Sequence, residues 1–288
     1  MIHHDAETLD IPVRPGDVTL VLRSASKISI ADSRELIIRG SGFPSKGEAY
    51  SCGRKTQNSL MLCSARLRMG IDVGKDKARS GVGKVVKERA REMGVLLLDD
   101  VHGLCVFPED MPVQFVSVSG SVVVGPSAAI FIEEFGKAYK MSPEFADKQS
   151  LAFELYSAAQ FESSLRARFL TLVIAVECLA SQEEQPQHVL DHLKELIRLT
   201  KGSFQGPEKK DIVNGLGRLK SESISKSCRK LVDQYLGPEA AKLFKYCYEA
   251  RSKIVHDGAS PEDFDLGSYA PKLDELVSRL LIAVVASD

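Results

Sequence analysis

Gly237-Pro-Glu-Ala-Ala-Lys-Leu-Phe-Lys-Tyr-Cys-Tyr-Glu-Ala-Arg-Ser-Lys-Ile-Val-His-Asp-Gly258 decides the reading of the C-terminal half. Pro238 suits a first helical turn and Gly258 a helix stop, so the segment predicts one helix. Ala240, Leu243, Phe244, Cys247, Arg251 and Ile254 follow the three-four spacing of a single face. Arg251 then falls within an apolar stripe. A guanidinium there requires a carboxylate, a phosphate or a wet cleft, because burying it unpaired is costly. His256 lies five residues on, about 140° around an ideal helix. The two converge if the last turn unwinds toward Gly258, or if a second subunit brings its own copy close. A strong cation and an imidazole that titrates near neutrality suit binding or cutting a phosphodiester. The bare spacing also recurs by chance, so the surroundings must decide.

Working outward, strand signals vanish from about Met141. Ser142-Pro143-Glu144 predicts a helix start, followed by a long helix from about Leu151 to Ala180. Further helices are predicted near His188–Thr200, Pro207–Leu219, Ser227–Tyr235, Pro238–His256 and Pro271–Ala286, punctuated by Gly202, Gly206, Gly237 and Gly258. In the long helix Glu177 sits among Val176, Cys178 and Leu179. It is a candidate buried carboxylate and a natural partner for Arg251.

Residues 17–124 read differently. Short β-branched runs (Val18–Leu22, Leu36–Ile38, Gly103–Phe107, Val113–Val118 and Ser121–Val124) are broken by Gly and Ser, and the last two suggest a hairpin around Ser119-Gly120. Helical patterns fall at Gln57–Met69, Lys84–Met93 and Ala128–Lys140. The expected class is α+β: a small mixed α/β N-terminal domain over residues 1–141, then an all-α helical bundle over 142–288.

The formal net charge is −1, from 38 basic and 39 acidic residues, so any nucleic-acid binding must rest on a local patch. Trp is absent and aromatic residues are only 7%, which argues against a base-stacking platform. The six cysteines, Cys52, Cys63, Cys105, Cys178, Cys228 and Cys247, form no Cys-x-x-Cys clip and read as reduced core residues. The N-terminus lacks an apolar signal core, and the apolar run Leu170–Val176 is far too short to span a bilayer. A cytoplasmic protein is expected.

Arg168-Phe-Leu-Thr-Leu-Val-Ile-Ala-Val-Glu-Cys-Leu179, together with Tyr248-Glu-Ala-Arg-Ser-Lys-Ile-Val-His-Asp-Gly258, resembles the ApeA-like branch of the HEPN superfamily. The likeness covers roughly residues 145–286. It implies a helical bundle that dimerises so that two Arg–His motifs face one cleft, with Arg251 and His256 as catalytic residues. Ser252 is the small polar residue the family favours after the Arg, and Glu177 and Asp257 are the supporting carboxylates. Arg166, Arg168 and Lys253 become candidate RNA contacts. Many members cleave RNA without metal, typically as toxins or in defence, whereas others only bind RNA or nucleotides. The partners implied are RNA, a second copy of the chain, and an antitoxin or sensor protein. No metal, cofactor or membrane is implied.

Other motifs carry less. Ser80-Gly-Val-Gly-Lys84 fails the phosphate-loop pattern, since Ala78 replaces the first Gly and Val85 follows the Lys. Lys75, Lys77, Arg79, Lys84, Lys87, Arg89 and Arg91 form a basic cluster that reads as a solvated face, with contact to an RNA backbone as the alternative. Asp99-Asp100-Val-His102 reads as a turn rather than a metal site, and His188 with His192 as a solvent-facing pair. Lys209-Lys210 and the Lys and Arg positions between Arg218 and Lys230 read as solvating the bundle.

Overall fold

A computed structural model describes residues 2–12, 18–33, 35–80, 82–109, 113–115, 127–141 and 143–287. The chain is α+β and divides into two compact units, Met1–Ala146 and Asp147–Asp288.

The first unit is built on an antiparallel sheet in the order β1 (Thr8–Ile11), β2 (Thr19–Ser24), β3 (Leu36–Ser41). Alternation along β2 buries Leu20, Leu22 and Ser24 on one face, with Leu20 paired to Ile11 and Gly40, and Leu22 to Leu9 and Ile38. Two helices, α1 (Lys46–Leu67) and α3 (Ala128–Met141), contribute Cys63, Phe131, Phe135 and Tyr139 to the same core. Helix α1 begins eleven residues before the expected Gln57. Ser45 caps it by accepting from the Glu48 N–H at 3.2 Å, and the polar, glycine-containing first turns hide this start from any hydrophobic pattern. At Gly53 a side chain would collide with Leu104, so glycine there lets the later loop lie against α1.

Between these helices lie β4 (Lys77–Ser80), α2 (Lys84–Glu92), β5 (Leu96–Leu98), β6 (Asp100–His102) and β7 (Val113–Phe115). Strand β4 pairs antiparallel with β6, and β5 pairs parallel with β7. The expected strand Gly103–Phe107 does not form; pairing ends at His102, and Gly103 takes φ 138°. Most of the expected hairpin around Ser119-Gly120 lies outside the described residues. Asp99 accepts from the Val82 N–H at 2.9 Å and from Lys87 Nζ at 2.9 Å, which ties the segment before α2 to the end of β5.

The second unit packs α4 (Asp147–Phe161), α5 (Leu165–Leu179), α8 (Ile224–Leu236), α9 (Pro238–Asp257) and α10 (Leu266–Ser287) around Phe153, Tyr156, Phe169, Leu172, Phe244, Leu273 and Leu280. Helix α5 touches each of the other four. Two helices, α6 (Gln187–Ser203) and α7 (Lys209–Arg218), lie chiefly against one another and bury only Leu193.

Three expected boundaries are corrected. The long helix over 151–180 is two antiparallel helices. Glu162-Ser163-Ser164 breaks it, because Ser164 accepts from the Ala167 N–H at 3.3 Å and so caps a new start. Residues 143–146 lie outside any helix, so Ser142-Pro143-Glu144 does not start α4. Helix α10 begins at Leu266 rather than Pro271, because Asp265 accepts from the Gly267 N–H at 3.0 Å and the Ser268 hydroxyl at 2.5 Å.

At the entry to α8 the carboxylate of Glu222 is 3% exposed and held by Lys230 at 2.8 Å, Lys226 at 3.4 Å and the Ser227 hydroxyl at 3.0 Å. The Lys230 contact, above the others, pulls its pKa down to about 2 against the opposing effect of desolvation. A carboxylate depressed on folding stabilises the fold above its unfolded pKa and loses that contribution as pH falls through the folded value. Stability should therefore fall between about pH 4.5 and about pH 2. A Glu222→Gln chain should lose that part of the acid transition, read by thermal unfolding across this window.

Candidate functional site

Helix α9 buries Ala241, Phe244, Cys247, Ala250 and Ile254. This stripe is rotated slightly from the expected one. Arg251 lies on its flank, with 23% of its side chain exposed, rather than at its centre. Its Nη2 donates to Glu177 Oε2 on α5 at 3.3 Å, the pairing expected from the sequence. The guanidinium carbon stands 5.8 Å from the centre of the Tyr248 ring, one turn back on α9. The Tyr248 phenol lies within electrostatic reach of Glu177. Burial first, and then the Glu177 charge, push that phenol up to about 12. The same two causes raise the buried Cys228 thiol on α8 to about 12.

Glu177 therefore anchors a small polar cluster in which one guanidinium donor stays unmatched. Arg251 Nε is shielded from solvent and has no hydrogen-bond partner. A donor left in that state costs stability, and an acceptor supplied by a ligand would satisfy it.

His256 is exposed on the last turn of α9. The helix stays regular to Asp257, and Gly258 closes it at φ 73° with its N–H on the Ile254 carbonyl at 3.1 Å. Unwinding before Gly258 does not occur. Within one chain the Arg251 and His256 directions thus stay about 140° apart.

The remaining candidates are spread around this end of the unit. Arg166 Nη1 donates to the Gly258 carbonyl at 3.2 Å, placing a cation at the negative end of α9. Ser252 and Lys253 open into a shallow groove of about 390 Å³, together with Tyr246, Glu249, Asp263 and Phe264. Asp257 is exposed at the helix end. Arg168 turns into the bundle instead, 3.4 Å from the buried Asp274 on α10 and 2.8 Å from Gln160 Oε1 on α4.

The arrangement brings Arg251, Glu177 and Tyr248 together and sets Arg166 beside Gly258. Tyr248 and Asp274 were missed from the sequence. Tyr248 stands three residues before Arg251 and was readable as a helix neighbour. Asp274 is a carboxylate among Leu273, Leu276 and Val277, the same signal that singled out Glu177.

His188 and His192 are both exposed, as their spacing suggested. All six cysteines are free thiols, with Cys63, Cys228 and Cys247 buried. Among the described residues no three His, Cys, Asp or Glu side chains cluster as metal ligands, and no helix is long and apolar enough to cross a membrane. Comparison with family models, with curated proteins and with solved structures returns no match.

Proposed function

We propose that the helical unit is a metal-independent endoribonuclease of HEPN type, active as a homodimer in a cytoplasmic toxin or phage-defence setting. One observation carries the reading. A solvent-exposed His256 ends the same helix on which Arg251 sits half-buried with an unsatisfied Nε, and both lie in the sequence strings that resemble the family. Two such helices facing across a two-fold axis supply what one chain lacks.

In that cleft neutral His256 takes the proton of a ribose 2′-hydroxyl, whose oxygen attacks the adjacent phosphorus. The bond from phosphorus to the 5′-oxygen breaks, and protonated His256 of the partner subunit gives its proton to the leaving oxygen. A 2′,3′-cyclic phosphate and a 5′-hydroxyl result. Arg251 faces the phosphoryl oxygens as charge grows on them.

A second reading is a helical module that binds RNA or a nucleotide without cutting it, and the Arg251–Glu177 ion pair favours a third, a structural dimerisation domain with Arg251 satisfied internally. Cleavage of labelled RNA in EDTA separates the nuclease from both. The nuclease reading expects cyclic-phosphate ends from the wild type and about a hundredfold loss or more in a folded His256→Ala chain. Full activity in that variant overturns it. RNA retention without any cleavage favours the second reading.

A further inference from the structure

We propose that the groove between α6 and α7 is an RNA-backbone subsite, with Lys201, Arg218 and Lys220 as counter-charges to successive phosphates. The proposal rests on the reading of the protein as one that acts on RNA, and it adds a surface that neither Arg251 nor His256 belongs to.

The groove is open and shallow, spans about 480 Å³, and is lined in part by Ile197, Val213 and Gly217. Three cations and the Asn214 amide complete its lining, and no carboxylate contributes. Other cations of α6 are neutralised locally, with Lys194 2.9 Å from Asp191 and Arg198 2.6 Å from Glu195. Lys201, Arg218 and Lys220, by contrast, have no ion pair among the described residues. Five cations and only two carboxylates fall between Lys201 and Lys220, in a chain whose overall charge is −1. The positive charge is thus concentrated where the fold does not consume it.

A second observation points to a ligand. Helix α7 carries glycine at 215 and 217, and neither has the positive φ that would require it. A methyl group at either position would meet nothing within 4 Å. Glycine inside a helix costs stability relative to alanine, and here the chain itself gains no packing in return. Gly217 lines the groove without a side chain, so a sugar-phosphate chain can approach its backbone closely. The base of the hairpin is fixed, because the Gln185 N–H donates to the Lys220 carbonyl at 2.8 Å and Glu184 bridges to Ser221. The backbone of Lys220 is therefore held at the hairpin base, and its side chain is exposed there. The lining holds no aromatic ring for stacking, so contact to the backbone rather than to bases is expected.

The test is fluorescence anisotropy of the full chain with a labelled single-stranded RNA across a salt series. It compares the wild type, a Lys201→Glu/Arg218→Glu/Lys220→Glu chain, Gly217→Leu, and Lys242→Glu as a control outside the groove. The triple variant should bind about tenfold or more weakly, and the slope of log affinity against log salt should shrink by about 2, as loss of three phosphate contacts to a single strand requires. Gly217→Leu should weaken binding while keeping all three charges, and the control should follow the wild type. Equal binding and slope in wild type, triple variant and Gly217→Leu overturns the subsite, while RNA cleavage by the wild type would leave the nuclease reading standing. Binding lost only in the groove variants, with no cleavage by any chain, sinks the nuclease reading and keeps the subsite. Displacement of RNA by polyglutamate as effectively as by unlabelled RNA overturns the assignment to nucleic acid, and absence of RNA binding by the wild type overturns both readings.

Discussion

Phe244→Ala should lower the unfolding free energy of the helical unit by about 3–5 kcal/mol, the range for removing a large aromatic from a closed core. Phe244 is 0% exposed on α9, with the Tyr248 ring 6.0 Å away. Its loss combines the transfer free energy of the ring with a cavity that helices of this length close only in part. A domain of this size has about 5–15 kcal/mol to lose, so the variant should sit near the edge of folding. Urea unfolding followed by far-ultraviolet circular dichroism measures the shift in midpoint. A loss under about 1 kcal/mol would mean that α9 is not seated as described. Because α9 also carries Arg251 and His256, the same substitution should degrade any activity of the site without touching its chemistry.

The second large effect is expected at Asp274. This carboxylate is 2% exposed, accepts from Gln160 Nε2 at 2.6 Å and faces Arg168 Nη2 at 3.4 Å. Asp274→Ala removes the counter-charge of Arg168, which keeps its bond to Gln160 Oε1, and takes the acceptor from the Gln160 amide N–H. Breaking a buried pair by removing one member costs about 3–5 kcal/mol in closed sites. Arg168 keeps 31% of its side chain in contact with solvent, which reduces the expected loss to about 2–4 kcal/mol. Asp274→Asn retains an acceptor for Gln160 and should cost less than half as much. Equal effects of the two substitutions, measured by chemical unfolding, would show that charge plays no part there.

Much of this architecture was readable because apolar spacing dominates where helices bury a wide stripe. Helices α3, α8 and α9 announced themselves within a few residues of their ends for that reason. The breaks were harder. Glu162-Ser163-Ser164 interrupts a sequence whose neighbours are all good helix formers, and only the competition of Ser164 for a backbone N–H ends one helix and begins another. Pro271 misled for the opposite reason: proline suits a first turn, but here it sits inside α10. In the first unit β1, β4 and β5 span three or four residues each and leave too little alternation to detect.

At the site, the sequence pointed to the Arg251–Glu177 pair because both are charges within apolar runs. It did not separate Arg166 from Arg168. They differ by two positions, which on a helix is more than half a turn, so one reaches Gly258 and the other enters the bundle. Which way each points depends on where α5 lies against its neighbours, and that is a tertiary fact.

The hairpin of α6 and α7 has a kinetic consequence. With Leu193 its single buried residue, little apolar surface must be wetted to pull the two helices from each other. Amide hydrogens there should exchange by sub-global opening, far ahead of those in α5, where Phe169, Leu172, Val173, Ala175 and Val176 are sealed and release is tied to complete unfolding. Deuterium uptake resolved by peptide would order the two segments directly, and a limiting dose of protease should cut first between Ser203 and Lys209.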